Sequence, residues 1–148
     1  CSGVSGQVMT SLMVKPPAPG GESHERFVRE EGEIFESLRR RAAILVDGLN
    51  GIDGIECNET EGAMYAFPRL TLPRGAWEEA SRNNQSVDTL YALSLLEETG
   101  ICVVPASGFG QKKGRAGFRT TFLPPEETIV RAVDMFKQHH EKFCARYA

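Results

Sequence analysis

Apolar positions recur every three or four residues in three stretches, which is the pattern of helices with one buried face. The first stretch spans residues 24–49, and the second spans 86–99, between a Ser86 N-cap and a closing Gly100. The third follows Pro124-Pro125-Glu126-Glu127, a strong helix start with an acidic first turn. Its predicted inner stripe is Ile129, Val133, Phe136, His140 and Phe143. A shorter helix is indicated before residue 15 by Val8, Met9, Leu12 and Met13.

Short β-branched or alternating runs between these helices predict strands at 52–57, 63–70, 101–104 and 117–123. The first two are expected to form a hairpin across residues 58–62, and residues 71–85 are interpreted as an irregular insertion. A Lys15-Pro-Pro-Ala-Pro-Gly-Gly21 segment breaks regular structure and is typical of a linker. The order of elements therefore predicts an α/β sandwich, with a small, largely antiparallel sheet covered by helices.

Arg119 lies in the middle of the last predicted strand, between apolar neighbours. A guanidinium that is buried there needs an anionic partner, and its planar fork matches a carboxylate. The alternative is an arginine on the solvated face of a half-buried strand. Just upstream, Ser107 to Gly110 forms a predicted turn, in which Gly108 permits close approach of the backbone to a ligand.

Composition limits the alternatives for this chain of 148 residues. A net charge of −3 argues against a general nucleic-acid binder, and no apolar run is long enough to cross a membrane. No signal peptide is visible, and the chain, which starts at Cys1 rather than Met, is interpreted as a fragment of a longer protein. Cys57 and Cys102 are predicted to be buried free thiols, as expected in a reducing compartment. Adjacent His139 and His140 point to different sides of a helix, so no metal site is predicted.

Several motifs together resemble one enzyme family. They are Gly6-Gln-Val-Met-Thr10, Leu38-Arg-Arg-Arg41, Glu61-Gly-Ala-Met-Tyr-Ala-Phe-Pro-Arg69, Ser107-Gly-Phe-Gly110 and Phe118-Arg-Thr-Thr-Phe-Leu-Pro124. In combination the sequence resembles the C-terminal part of fold type I aminotransferases that depend on pyridoxal 5′-phosphate, and more narrowly the alanine aminotransferase family. The resemblance implies that residues 1–21 are the tail of the large cofactor domain plus a linker. Residues 22–148 would then be the small C-terminal domain.

The resemblance also implies roles for single residues. Arg119 occupies the place of the arginine that binds the substrate α-carboxylate, while Tyr65, Ser107 and Gly108 are candidates for lining the pocket. The lysine that carries the cofactor would lie upstream of this chain, so no catalytic residue is expected here. The small domain would act as a closing lid over the substrate.

For the full-length parent, the resemblance implies a homodimeric alanine transaminase of the cytoplasm or mitochondria. Its substrates would be alanine, pyruvate, glutamate and 2-oxoglutarate, without nucleic-acid or membrane partners. Two alternatives stay open. One is a related aromatic or branched-chain aminotransferase, and the other is a noncatalytic effector-binding module with an aminotransferase-like fold.

Overall fold

The computed structural model describes residues 2–148, in which helices and very short strands alternate; Cys1 lies outside the described residues. The helices are α1 (Val4–Val14), α2 (His24–Asn50), α3 (Arg74–Arg82), α4 (Val87–Thr99) and α5 (Glu126–Tyr147). The strands are β1 (Ile55–Glu56), β2 (Tyr65–Ala66), β3 (Arg69–Leu70), β4 (Val104–Pro105) and β5 (Ala116–Thr121). A 3-10 turn, Ala106–Phe109, follows β4 directly. No helix of residues 2–148 is long and apolar enough to cross a membrane.

The chain divides into two compact units, Cys1–Arg39 and Arg40–Ala148, and the boundary falls inside α2. In the first unit the predicted short helix is confirmed as α1, whose side chains are all exposed. The Pro/Gly segment that follows is tied back by a 2.8 Å contact between His24 Nδ1 and the carbonyl oxygen of Pro17. On α2, Arg39 forms an ion pair with Glu36, one turn earlier, at 2.9 Å.

In the second unit, β5 is the centre of an antiparallel sheet and pairs with three other strands. It faces β2 (Tyr65↔Thr121), β3 (Arg69↔Gly117) and β4 (Val104↔Arg119), while β1 pairs with β3. The close approach of β5 to the preceding chain requires Gly117, where an added Cβ would lie 2.6 Å from the Pro68 carbonyl oxygen. The predicted antiparallel sheet covered by helices is therefore confirmed.

The predicted hairpin is only partly right. Residues 63–70 do not form one strand, because Pro68 divides them into β2 and β3. Proline has no N–H to give to a ladder, but its carbonyl oxygen accepts the N–H of Phe118 at 3.2 Å. Only β3 pairs with β1, so the connection between the paired strands runs from 57 to 68 rather than 58 to 62.

The predicted irregular insertion at 71–85 is wrong, because it contains α3. This helix packs on α4 and α5 and buries Ala76 and Ala80, four residues apart. Ion pairs along its exposed side support it, with Arg74 2.7 Å from Glu78 and Arg82 2.7 Å from Glu79. The next helix has the predicted bounds: Ser86 accepts the N–H of Thr89, and Gly100 closes α4 at φ +76°.

Aromatic rings from α4, β5 and α5 form the centre of the core. Phe118 stacks against Tyr91, with ring centroids 6.0 Å apart, and against Phe136 at 5.4 Å. Phe143 contacts Tyr91 edge to face at 5.0 Å. All four side chains are essentially inaccessible to water. Among the thiols, Cys57 is buried as predicted, whereas the prediction for Cys102 is wrong: it precedes β4 and its side chain is exposed, while its neighbour Val103 is buried.

Two adjacent histidines of α5 are buried beside this aromatic core, although only His140 was predicted to face inward. His140 Nδ1 lies 3.2 Å from the Tyr91 hydroxyl. His139 Nε2 lies 3.0 Å from Ser94 Oγ, and its Nδ1 has no hydrogen-bond partner among the described residues. Burial lowers the pKa of His139 from 6.5 to about 4, against a smaller opposing effect of the Glu98 carboxylate. Burial also lowers the pKa of His140.

We therefore expect the second unit to lose stability as the pH falls from 6.5 towards 4. In that window the unfolded imidazole binds a proton that the folded His139 does not bind. The free energy of unfolding of the chain should drop by roughly 1–2 kcal/mol between pH 7 and pH 5. Urea denaturation at several pH values measures this, and His139→Gln should flatten the profile. A wild-type profile that stays level from pH 7 to pH 5 would contradict the expectation.

Candidate functional site

Arg119 lies on one face of the sheet, together with the residues opposite and beside it. Directly paired residues of antiparallel strands point to the same face, so Val104, Tyr65 and Thr121 share the face of Arg119. Val104 and Tyr65 are each 40% exposed, and Arg119 is half-buried. The opposite face carries Phe118 into the core. The predicted alternation along the last strand is thus found, and it leaves Arg119 on the open face.

The guanidinium of Arg119 lies between two aromatic rings. Its Cζ atom is 4.4 Å from the centroid of Tyr65 and 4.8 Å from the centroid of Phe109. Such cation–π contacts hold the plane of a guanidinium without using its N–H groups. Within residues 2–148, the side chain of Arg119 makes no ion pair or hydrogen bond, in contrast to that of Arg40, which pairs with Glu126 at 2.8 Å. The donors of Arg119 are therefore available to an external acceptor.

The rings around Arg119 extend into an exposed aromatic patch, formed by Tyr65, Phe67 and Phe109. Phe67 contacts Phe109 edge to face, with centroids 5.5 Å apart. Phe67 is 47% exposed and Phe109 is 44% exposed, which is unusual for rings of this size. An open patch of apolar rings around one unpaired cation is suited to a small ligand with a carboxylate and an apolar body.

The other two predicted pocket residues, Ser107 and Gly108, lie in the 3-10 turn that leads to Phe109. The N–H of Ser107 donates to Asp88 Oδ2 at 2.8 Å, and its hydroxyl lies 2.9 Å from Ser86 Oγ. A Cβ added at Gly108 would meet nothing within 4 Å. The structure therefore brings Tyr65 and Arg119 into direct contact, and it places Ser107 and Gly108 beside them through Phe109 rather than on Arg119 itself.

Phe109, Phe67 and Asp88 are the residues of this region that were not predicted from the sequence. The signal for Phe67 was present, because it lies two residues after Tyr65 and so shares its side of an extended chain. Phe109 sits between two glycines of a turn, where no period indicates its direction. Asp88 lies in the first turn of α4, where an acidic residue is typical of any helix and does not by itself indicate a role at a site.

Metal-ligating side chains and lysines are the other groups of residues 2–148 that could hold a metal or a cofactor. No group of three or more metal-ligating side chains occurs in residues 2–148. All five lysines, at positions 15, 112, 113, 137 and 142, are exposed side chains. A lysine that carries pyridoxal phosphate is held in an enclosed site, and residues 2–148 enclose none of these five lysines.

Solved structures with this fold are aminotransferases. An aspartate aminotransferase from Rhizobium meliloti matches 91% of this chain and 30% of its own length, with a TM-score of 0.64 and 25% identity. An alanine aminotransferase from Pyrococcus furiosus matches 75% of this chain and 25% of its own, with a TM-score of 0.61 and 28% identity. The fold and the arrangement of the sheet thus define the chain as a segment of an aminotransferase.

Sequence comparison indicates which kinds of aminotransferase the chain is similar to. A probable mitochondrial alanine aminotransferase of Dictyostelium discoideum is 48% identical over 99% of the chain, which covers 28% of that protein. Glutamate–glyoxylate aminotransferase 2 of Arabidopsis thaliana is 49% identical over 98% of the chain and is covered to 30%. An inactive alanine aminotransferase of Saccharomyces cerevisiae is 46% identical over 99% of the chain and is covered to 28%. Over nearly its whole length the chain is thus similar to alanine and glutamate–glyoxylate aminotransferases, and it spans less than a third of the length of these relatives. No family model matches it.

Proposed function

We propose that the protein containing this chain is a pyridoxal-phosphate-dependent aminotransferase that transfers the amino group of L-alanine to 2-oxoglutarate. The observation that carries the proposal is the guanidinium of Arg119, which is half-buried between Tyr65 and Phe109 and makes no ion pair within residues 2–148. Relatives named as alanine aminotransferases support the same activity.

In this proposal Arg119 binds the α-carboxylate of the amino or keto acid. Two parallel N–H···O bonds fix both the position and the rotation of a carboxylate, which a lysine cannot do. The flanking rings hold the guanidinium plane before substrate arrives, so less conformational entropy is lost on binding. A substrate fixed in this way presents its Cα–H bond in one orientation.

Pyridoxal phosphate, when bound, supplies the electron sink for this chemistry. We propose that its lysine lies in the large domain, because the lysines of this chain are all exposed. Residues 1–21 would then be the tail of that domain plus the linker, and residues 22–148 would form the small domain. Closure of the small domain over the substrate would exclude water from the site. Gly108 and Ser107 would line the rim of the pocket next to Phe109.

Two further properties of the whole protein are proposed from its relatives. The first is a homodimer, the assembly that the family resemblance implies. The second is an intracellular location in the cytoplasm or in mitochondria, since two of the relatives are named as mitochondrial alanine aminotransferases. The partners of the protein would then be small amino acids and 2-oxo acids, with no nucleic acid and no membrane among them.

A noncatalytic protein is the second candidate, and one specific observation favours it. A relative from Saccharomyces cerevisiae that is 46% identical to this chain is named as inactive. A protein of that kind would still bind a carboxylate at Arg119, but it would not transfer an amino group. Related specificities are further alternatives, because a relative named glutamate–glyoxylate aminotransferase is 49% identical.

The test is a substrate panel with the full-length protein and added pyridoxal phosphate. Alanine should be the preferred donor with 2-oxoglutarate, and glutamate should serve as donor with pyruvate. Aromatic and branched-chain donors should react at least tenfold more slowly, because each tenfold preference requires only about 1.4 kcal/mol. Preference for glyoxylate or for an aromatic donor would change the substrate assignment. Binding without transfer of nitrogen would establish the noncatalytic candidate.

A further inference from the structure

A buried carboxylate lies close in the fold to the Arg119 site without touching Arg119. Asp88 is only 2% exposed, at the second position of α4. Its Oδ1 accepts the hydroxyl of Ser86 at 2.6 Å, and its Oδ2 accepts the N–H of Ser107 at 2.8 Å. No arginine, lysine or histidine of residues 2–148 forms an ion pair with it. The helix N-terminus and these hydrogen bonds stabilise the buried group.

Both acceptor atoms of Asp88 connect α4 with the 3-10 turn Ala106–Phe109. Oδ2 holds the backbone of Ser107 directly. Oδ1 holds Ser86 Oγ, which in turn lies 2.9 Å from Ser107 Oγ. The turn is thereby fixed at its second residue by two contacts to a rigid helix terminus. The turn ends at Gly110, whose φ of +70° lets the chain change direction there.

The last residue of this turn is Phe109, whose ring faces the Arg119 guanidinium with 4.8 Å between centroid and Cζ. Apart from its edge-to-face contact with Phe67, a ring that is 44% exposed has few contacts to determine its place. The position of the ring therefore depends on the turn, which Asp88 holds at Ser107.

We propose that Asp88 is a positioning residue for the substrate carboxylate: it fixes the turn at Ser107 so that Phe109 holds the Arg119 guanidinium in its binding orientation. This inference rests on the proposed function, in which Arg119 binds the α-carboxylate. Asp88 itself touches neither substrate nor cofactor, and it acts only through the turn. Tyr65 contacts the guanidinium from a different strand, β2, and has no contact with Asp88.

The experiment uses the full-length holoenzyme and the variants Asp88→Ala and Asp88→Asn. Asp88→Ala leaves the Ser107 N–H without its acceptor, and we expect kcat/KM for alanine to fall about tenfold, mainly through KM. The inhibition constant of propanoate, a carboxylate that cannot react, should rise by a similar factor. Asp88→Asn has nearly the same shape as the wild type and keeps one acceptor oxygen. It should therefore retain most of the wild-type kcat/KM and propanoate affinity. If Asp88→Ala fails to fold, Asp88→Asn still tests the inference, because a kcat/KM reduced as far as expected for Asp88→Ala would contradict it.

A buried leucine on the same helix provides the matched control. Leu95 is inaccessible to water and lies two turns further along α4, so Leu95→Ala lowers stability without removing a contact to the turn. We expect it to leave the propanoate inhibition constant within about twofold of the wild type. If Leu95→Ala weakens propanoate as much as Asp88→Ala does, the effect is general destabilisation and the inference is wrong.

A double-mutant cycle separates this inference from the proposed function. In an Arg119→Leu background, Asp88→Ala should cause no further loss of kcat/KM, because the group that it positions is absent. If Asp88→Ala lowers kcat/KM by the same factor in the Arg119→Leu background as in the wild type, the positioning role is wrong. The carboxylate site at Arg119 would not be affected by that result. If Arg119→Leu alone changes nothing, the carboxylate site itself is wrong, and the inference falls with it.

Discussion

Replacing Arg119 by leucine in the full-length protein is expected to lower kcat/KM for alanine and for 2-oxoglutarate by roughly 100-fold. Loss of one partner of a desolvated, hydrogen-bonded charge pair costs about 2–5 kcal/mol, and each tenfold in rate corresponds to about 1.4 kcal/mol. The half-buried position of Arg119, between two rings but still partly in contact with water, favours the lower half of this range. Arg119→Lys should recover only part of the activity, because an ammonium keeps the charge but loses the planar fork.

An arginine of the adjacent strand supplies the control. Arg69 lies on β3 and pairs with Glu56 at 3.5 Å on the exposed surface. Arg69→Leu removes the same side chain from the same sheet, and we expect steady-state kinetics within about twofold of the wild type. Cofactor absorbance and thermal unfolding, measured on every variant, exclude indirect effects. Equal kcat/KM for wild type and Arg119→Leu would show that Arg119 is a structural arginine.

The second large effect concerns stability. Phe118→Ala is expected to reduce the free energy of unfolding by about 3–5 kcal/mol, because a ring that stacks on both Tyr91 and Phe136 is replaced by a cavity. Domains of this size are stable by only about 5–15 kcal/mol, so the variant should be partly unfolded in moderate urea. The fluorescence of Trp77, the single tryptophan of the chain, reports the transition.

Phe35→Ala is the matched control for that measurement. Its ring is 60% exposed on α2, and truncation of an exposed side chain of this kind changes stability by less than about 0.5 kcal/mol. Phe118→Leu, which refills part of the space, should lie between the two. Equal denaturation midpoints for Phe118→Ala and Phe35→Ala would mean that the stacked rings do not form the core described here.

The helices were predictable because their signals are local. Ser86 and Gly100 mark both ends of α4 in the sequence, and the structure shows the corresponding cap hydrogen bond and left-handed residue. By contrast, α3 was missed, because its first turn has no side-chain cap and its buried face consists of two alanines. A short helix with a small apolar face resembles a polar loop when only hydrophobic periodicity is considered.

The pairing of the strands and the surroundings of Arg119 could not be predicted from the sequence alone. Alternation shows which residues share a face, but it does not show which strand lies next to which. The contact between Tyr65 and Arg119 exists because β2 pairs with β5 rather than with β1, across more than fifty residues of sequence. The family resemblance identified Arg119 itself. The places of Phe109 beside Arg119 and of Asp88 behind the turn follow from tertiary contacts that have no local signal.

The central place of β5 has a consequence for how the protein is made. During synthesis the chain leaves the ribosome from its N-terminus, so β1 to β4 are all produced before β5. Until residues 116–121 emerge, β2 and β4 have no strand to pair with, and only the two-residue ladder between β1 and β3 can form. Completion of the sheet is therefore a late step that joins strands far apart in the sequence. Before this step the edges of the unpaired strands can contact other nascent chains.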